Sequence, residues 1–307
     1  MSRGVLLLAH GTPDSLDDMP EYLTRVREGR PPSPQLLDEM RRNYAAIGGR
    51  SPLTEITLAQ AAALERELAD GTRVTVGMRN WRPFIADALA ALSADAITDV
   101  VALPLAPQFS GVSVGKYQAA VEAAAPPGMA VRFVSSWHDH PGLIESLAEN
   151  LRRALESGPW DAVIFTAHSI PVRLAREGDP YPDEVRATAT AVARAANVER
   201  WQLAYQSAGR TPEPWLTPSL EQAIDGLAGT GATRVLAAPV GFVSDHTEVL
   251  FDIDVQARAF ARERGVELGR TESLNTSPVL IRALADIVIE QGGAEPRPPG
   301  TPAPSRE

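Results

Sequence analysis

Short apolar runs alternate with helix-period segments along the chain. The runs are "GVLLLA" (4–9), "RVTVGM" (73–78), "DVVALPL" (99–105) and "VRFVSS" (131–136), then "DAVIFTA" (161–167), "WQLAYQ" (201–206) and "RVLAAPV" (234–240). Between them, apolar residues recur at helical spacing near 17–28, 34–45, 54–69, 83–92, 114–125, 142–157, 182–196, 217–228, 247–264 and 277–290. Alternation of this kind predicts an α/β fold in which parallel sheets are joined by crossover helices. A break at "ESGPW" (156–160) divides the chain into two such units.

The two units echo each other. "LLLAHGTP" (6–13) and "IFTAHSIP" (164–171) both run from an apolar strand through Ala-His to a Pro. Each histidine, His10 and His168, therefore sits at the carboxyl end of a strand, where open α/β sheets bind ligands. Two related units facing each other would turn both histidines into one cleft.

Composition narrows the chemistry. The 307 residues, 44% hydrophobic and 22% charged, suffice for two α/β domains. No apolar run approaches the roughly 18 residues of a membrane span, and the opening run has no cleavage signal behind it, so the expected location is the cytoplasm. A formal charge of −10 disfavours a nucleic-acid partner. Zero cysteines exclude disulfides, cysteine nucleophiles, thiolate zinc sites and cysteine-ligated iron–sulfur clusters. There is no GxGxxG after the first strand, no Walker lysine and no GxSxG elbow, which counts against nucleotide enzymes and α/β-hydrolases.

Chemistry-bearing residues gather in a few places. "GFVSDHTEVLFDIDVQ" (241–256) sets Asp245, His246, Glu248, Asp252 and Asp254 close together at a strand-to-helix transition. Asp245 is placed to cap a helix whose third residue is Glu248. Glu248, Asp252 and Gln256 fall on one helix face at four-residue spacing, either a solvated face or a ladder for cations and protons. "GDPYP" (178–182) stiffens the loop after His168. "YQSAGRTPEPWL" (205–216) brings Tyr205, Gln206, Arg210 and Trp215 to another strand end, where they would line a flat apolar ligand or cover a core edge. "RVREGRPPSP" (25–34) holds Arg25, Arg27 and Arg30, with Arg41 and Arg42 further on, a local positive patch suited to carboxylates.

Nine strings in order, "GTPDS", "YAAIGGRSPL", "VGMRNWRPFI", "LPLAPQFS", "AHSIP", "GDPYP", "YQSAGRTPEPWL", "PVGFVSDHTEVLFDID" and "TESLNTSP", resemble the ferrochelatases, which insert ferrous iron into a porphyrin. The likeness runs over about residues 4–290 and is strongest, in "LLLAHGTPDSLDDMPEYLTRVREGRPPSP", to the soluble coproporphyrin III ferrochelatases of Gram-positive and related bacteria. It implies two similar Rossmann-like domains, 1–157 and 158–275, with a porphyrin cleft between them. A C-terminal helix, 276–291, would pack back on the first domain, and the proline-rich 292–307 reads as a disordered tail.

The resemblance also assigns roles. His168 matches the histidine of the family's "HS.P" motif and Glu248 the acid opposite it, both catalytic and, with Asp252, metal-contacting. Gln256 stands on a rung often filled by Glu. His10 occupies the place of a Tyr that approaches iron from the other face. Arg27, Arg30, Ser51 and Tyr117 match propionate-holding positions; Asn43 replaces a frequently basic one, which shifts binding to Arg42 or Arg50, and Trp215 joins the substrate set. A neutral His168 imidazole near its usual pKa of about 6.5 would accept a proton or bind Fe²⁺. The expected partners are coproporphyrin III and Fe²⁺ as substrates, with transient contact to neighbouring haem-pathway enzymes. No tightly bound cofactor, iron–sulfur cluster, nucleic-acid partner or integral membrane segment is expected, and the chain reads as a monomer. Three other readings stay open: a protoporphyrin IX ferrochelatase, a non-catalytic haem or porphyrin carrier with His10 as axial ligand, and a cobalt or nickel chelatase.

Overall fold

A computed structural model describes residues 3–209 and 211–292. Arg210 and the proline-rich segment from 293 onward lie outside the described residues. Two four-stranded parallel sheets form the frame. In the first, β1 (Arg3–Ala9) lies between β2 (Arg73–Met78) and β3 (Asp99–Pro104), with β4 (Ala130–Phe133) beyond β3. In the second, β5 (Ala162–His168) lies between β6 (Trp201–Gln206) and β7 (Arg234–Pro239), with β8 (Glu267–Arg270) beyond β7. The strand orders are therefore the same, β2-β1-β3-β4 and β6-β5-β7-β8, which makes His10 and His168 topological counterparts. The short β8 reads "ELGR" and buries one side chain, Leu268, too little for an apolar-run pattern to reveal.

Helices fill the crossovers. Helices α1 (Met19–Val26), α2 (Pro34–Ala46) and α3 (Leu53–Leu68) separate β1 from β2; α4 (Ile85–Ala94) and α5 (Val114–Ala124) make the next two connections. The sheets are linked by α6 (Pro141–Leu155). In the second half, α7 (Val172–Arg176) and α8 (Tyr181–Ala195) precede β6, and α9 (Leu220–Gly229) precedes β7. The β7–β8 crossover holds α10 (Thr247–Leu250), a π-helical stretch Asp252–Ala257 and α11 (Arg258–Arg262). The last helix, α12 (Pro278–Gly292), buries Leu280, Ile281, Leu284, Ile287 and Val288 against α3 and α6.

Strand alternation divides the core. In β1, Val5 and Leu7 point to a large cluster shared by both sheets, whereas Leu6 and Leu8 point to an outer cluster under α4 and α5. In β5, Val163 and Phe165 face the shared cluster and Ile164 faces the outer one under α9 and α11. Leu143, Leu147 and Leu151 of α6 meet Val185, Ala189 and Val192 of α8 inside the shared cluster.

A loop after β3 adds polar ties between the halves. Gln108 Nε2 donates to the Val240 carbonyl (3.0 Å) and Thr188 Oγ1 (3.1 Å), and the Phe109 amide donates to Glu184 Oε2 (2.6 Å). Asp179 Oδ2 accepts from Ser110 Oγ (2.8 Å) and the Gly111 amide (2.9 Å). Phe165 is fully buried at the middle of β5 and meets Trp201 edge-to-face at 5.3 Å. Phe165→Ala should lower unfolding free energy by about 3–5 kcal/mol in urea titration, because its site sits in the shared core and cannot collapse on one side alone.

Candidate active site

His168 ends β5, and the chain after it leaves the parallel sheet to pair with 214–216 instead. The Ser169 amide donates to the Gln206 carbonyl (2.8 Å), and Tyr181 Oη donates to the His168 carbonyl (3.0 Å). Asp179 Oδ1 accepts the Tyr181 amide (3.1 Å), so the "GDPYP" turn joins the loop after β3 to the backbone of His168. The ring is fixed by its Nδ1 contact with the Ser169 carbonyl, and its Nε2 lies 3.6 Å from Glu248 Oε1. The other carboxylate oxygen, Oε2, lies 3.5 Å from His246 Nε2. His246 is in turn held by Nδ1 against the Ser244 carbonyl (2.9 Å) and by the Phe242 ring at 4.6 Å. One carboxylate thus sits between two imidazoles.

Glu248 belongs to the single turn of α10, and Gln206 Nε2 donates to its carbonyl. The apolar stripe predicted one helix over 247–264, but the structure widens it between 252 and 257. Both Val255 and Gln256 amides turn to the Phe251 carbonyl, at 3.1 and 2.9 Å, an i→i+4 and i→i+5 pair. The widened turn begins at Asp252, four residues after Glu248, and Asp252 accepts from Ser207 Oγ. The ladder ends there, because Gln256 is exposed and donates from Nε2 to Glu221 Oε1 at 3.1 Å. Nor does Asp245 cap the helix: the N-cap is His246, without a side-chain cap bond, and Asp245 accepts instead from Ser273 Oγ (2.7 Å) and Asn275 Nδ2 (2.9 Å).

The opposing wall comes from the first sheet. His10 follows β1, and Asn80 Nδ2 lies 3.1 Å from its Nε2. Tyr22 meets the imidazole edge-on at 6.3 Å and Trp81 at 6.2 Å, while Trp81 Nε1 donates to Asp14 Oδ2 (2.9 Å). The Arg79 guanidinium lies over the Tyr117 ring at 5.8 Å; its buried Nε and Nη1 have no hydrogen-bond partner among the described residues.

These surroundings set protonation. Burial pulls His168 toward its neutral form, but the charge and hydrogen bond of Glu248 outweigh it and carry the pKa up to about 9. The expected neutral His168 is thus corrected: beside Glu248 it is a cation at neutral pH. Burial likewise raises Glu248, and the two imidazoles reverse this and hold it well below the carboxylate range. Asp252 is pushed up to about 6, by burial first and by the Glu248 charge, against the Ser207 hydrogen bond. His10 goes the other way, down to about 4, through burial and the Arg79 charge. It also senses Glu248, His246 and His168, which places the two walls within electrostatic reach of each other.

The remaining candidates divide. Arg27 and Arg30 donate from Nε to each other's carbonyl oxygens (3.3 and 3.2 Å), leaving their terminal Nη amines unbonded among the described residues. Arg42 is exposed on α2, whereas Arg50 is already paired with Glu55 at 2.9 Å. Ser51 and Tyr117 are buried, and burial pushes the Tyr117 phenol up to about 12. Trp215 is bridged by its backbone to Pro171 and donates from Nε1 to Thr211 Oγ1 (2.9 Å). Among the described residues no three His, Asp or Glu side chains converge as a ready-made ion cage. His246, Arg79 and Asn80 were missed as site residues. His246 was visible two positions before Glu248, but Arg79 and Asn80 carried only their place after β2 as a signal.

A family model described as Ferrochelatase matches residues 2–292. Among curated relatives, a ferrochelatase of Deinococcus radiodurans is 44% identical, covering 95% of this chain and 96% of its own. A coproporphyrin III ferrochelatase of Bacillus subtilis is 37% identical, covering 95% of this chain and all of its own length, 100%. Solved structures show the same fold at low identity. SirB from Bacillus subtilis with Fe³⁺ aligns with TM-score 0.61 at 11% identity over 95% of this chain and 96% of that one. CbiX, the terminal enzyme of sirohaem biosynthesis in denitrifying bacteria, aligns with TM-score 0.55 at 16% identity, covering 94% and 99%.

In the metal-free protein, NMR titration should show His168 losing its proton near pH 9 rather than near 6.5. Glu248→Gln should bring that midpoint down, since the raising charge is gone; an unchanged midpoint would separate the two groups electrostatically.

Proposed function

The chain belongs to the ferrochelatase family, and we propose that the porphyrin it metallates is coproporphyrin III, bound between His10 and the His168–Glu248 pair. The enzyme inserts iron into a porphyrin. The observation that carries the site assignment is the carboxylate–imidazole pair, 3.6 Å apart at a strand end opposite a second strand-end histidine.

Metallation exchanges two pyrrole N–H protons for one Fe²⁺, so the site must take protons and present a partly dehydrated cation. Before iron arrives, the pair stores a proton on His168. Entry of a dication beside it lowers that affinity, and the proton leaves through Asp252, whose pKa of about 6 lets it pass a proton on at neutral pH. The freed imidazole then accepts a pyrrole proton while Glu248 steadies the cation. A second transfer by the same route completes the exchange, two protons out for one dication in. His10, neutral and braced by Asn80, faces the ring from the other side without competing for protons.

Coproporphyrin III carries four carboxylates, and the features that favour it are the unbonded Nη amines of Arg27 and Arg30 and the exposed Arg42. Tyr117 and Ser51 would line the ring edge beneath them, and Trp215 the strand-end loop beside His168. On this reading the protein works as a cytoplasmic monomer without a resident cofactor, in transient contact with neighbouring pathway enzymes. No described helix is long and apolar enough to cross a membrane.

His168→Ala should bind porphyrin but leave it unmetallated, followed anaerobically by absorption with Fe²⁺, and Glu248→Gln should lose roughly 10²–10⁴ in kcat. Normal turnover by His168→Ala sinks the assignment. Arg27→Ala and Arg30→Ala should each weaken coproporphyrin III more than protoporphyrin IX; equal losses would remove the tetracarboxylate preference.

A further inference from the structure

Two carboxylates of the 241–256 stretch, Asp245 and Asp254, take no part in the chemistry above. Both end on the guanidinium of Arg270, the last residue of β8. Arg270 Nε lies 3.0 and 3.1 Å from the two Asp254 oxygens, and Nη2 donates to Asp254 Oδ2 at 2.8 Å. Nη1 donates to the Thr271 carbonyl (3.0 Å) and lies 3.4 Å from both Asp245 Oδ1 and Ser273 Oγ. Arg258 shares Asp254 at 3.3 Å. Asp245 is further held through its amide by Asn275 Oδ1 (2.9 Å) and through its oxygens by Ser273 and Asn275. The Arg270 side chain is 12% exposed, so it is a largely desolvated cation, and each of its three nitrogens finds an acceptor.

The spacing gives this network its meaning. Asp245 lies three residues before Glu248, and Asp254 two after Asp252. The guanidinium therefore grips both ends of the segment that carries the two acids. That segment needs an external grip. A four-residue helix is far below the length that holds itself together, it has no side-chain cap, and it continues into a π turn whose acids repel. A planar fork can hold one carboxylate side-on and reach a second from its remaining amine; a lysine ammonium cannot do both in fixed directions.

We propose that Arg270 is a positioning residue, which sets the register of the π turn and so the placement of Glu248 and Asp252 toward His168. It governs iron handling rather than porphyrin binding, since it touches no residue of the wall formed by His10, Tyr22 and the arginine loop. The proposal rests on the role given above to Glu248 and Asp252.

Arg270→Lys and Asp254→Asn are compared with wild type and Glu248→Gln in steady-state metallation, varying Fe²⁺ and porphyrin separately and recording thermal melts. Arg270→Lys should lower kcat/KM for Fe²⁺ by about 10- to 100-fold, the range found when groups behind metal ligands are changed, with KM for porphyrin unchanged. Asp254→Asn should show the same split to a smaller extent. Folded variants with wild-type iron kinetics overturn the proposal, and so does a porphyrin KM that rises in step with iron, which would mark general loosening. If Arg270→Lys does not fold, Asp254→Asn decides by the same two criteria. Wild-type activity in Glu248→Gln overturns the underlying role of Glu248, whereas an inactive Glu248→Gln beside a fully active Arg270→Lys overturns the clamp alone.

Discussion

A carboxylate taken out of bulk water has to be compensated, and Glu248 is compensated by two imidazoles at 3.6 and 3.5 Å. The Glu248 side chain keeps 41% of its surface exposed, so solvent shares the compensation and the two imidazoles supply the rest. Their mutual placement draws in much of the second sheet. Tyr181 and Ser169 hold the backbone of His168, Gln206 holds that of Glu248, and Ser244 and Phe242 orient His246. The Glu248 charge keeps His168 protonated and adds to the burial that raises Asp252.

The same constraint extends across the molecule because both walls grow from one core. Residues of β1, β2 and β3 share a cluster with residues of β5, β6 and β7, and interiors packed at crystal-like density do not drift by fractions of an ångström without loss. The loop at 108–111 adds hydrogen bonds to Asp179, Glu184 and Val240. Asp179 also holds Tyr181, so the contact between the halves and the support of His168 run through one turn.

Strands buried on both faces were legible because their apolar runs are continuous, as with β1 and β5, and the shared "AH..P" pattern already set His10 and His168 in matching places. The strand β8 was not, since an outer strand with one buried side chain leaves no run to read. The widened turn at 252–257 escaped for another reason: Val249, Ile253 and Ala257 recur at helical spacing and are all buried, so the stripe is compatible with an α-helix or a π turn. What distinguishes them is the grip of Arg270 from a strand some sixteen residues away, and such a pairing leaves no local trace. Asp245 misled in the same manner, since its distance to Glu248 fits a cap while its bonds run to Ser273 and Asn275. Protonation was the least legible property, because spacing names the acid and the imidazole but not the burial and geometry that couple them.

Two histidines at equivalent strand ends of equivalent sheets end with different charge states. Burial first, and then the Arg79 charge, bring the His10 pKa down to about 4. His168 has Glu248, and its pKa rises to about 9. The fold supplies the positions twice; the residue on the facing element decides what each position does. A cleft with a neutral imidazole on one wall and a proton-storing pair on the other is polar across its width, and a symmetric macrocycle placed between the walls is no longer in a symmetric field. On the proposed reading, protons released from its centre would be drawn to the wall that carries the anionic oxygens, where Asp252 is the next base. Duplication of a strand-end histidine thus yields one working face and one bracing face without any change of backbone plan.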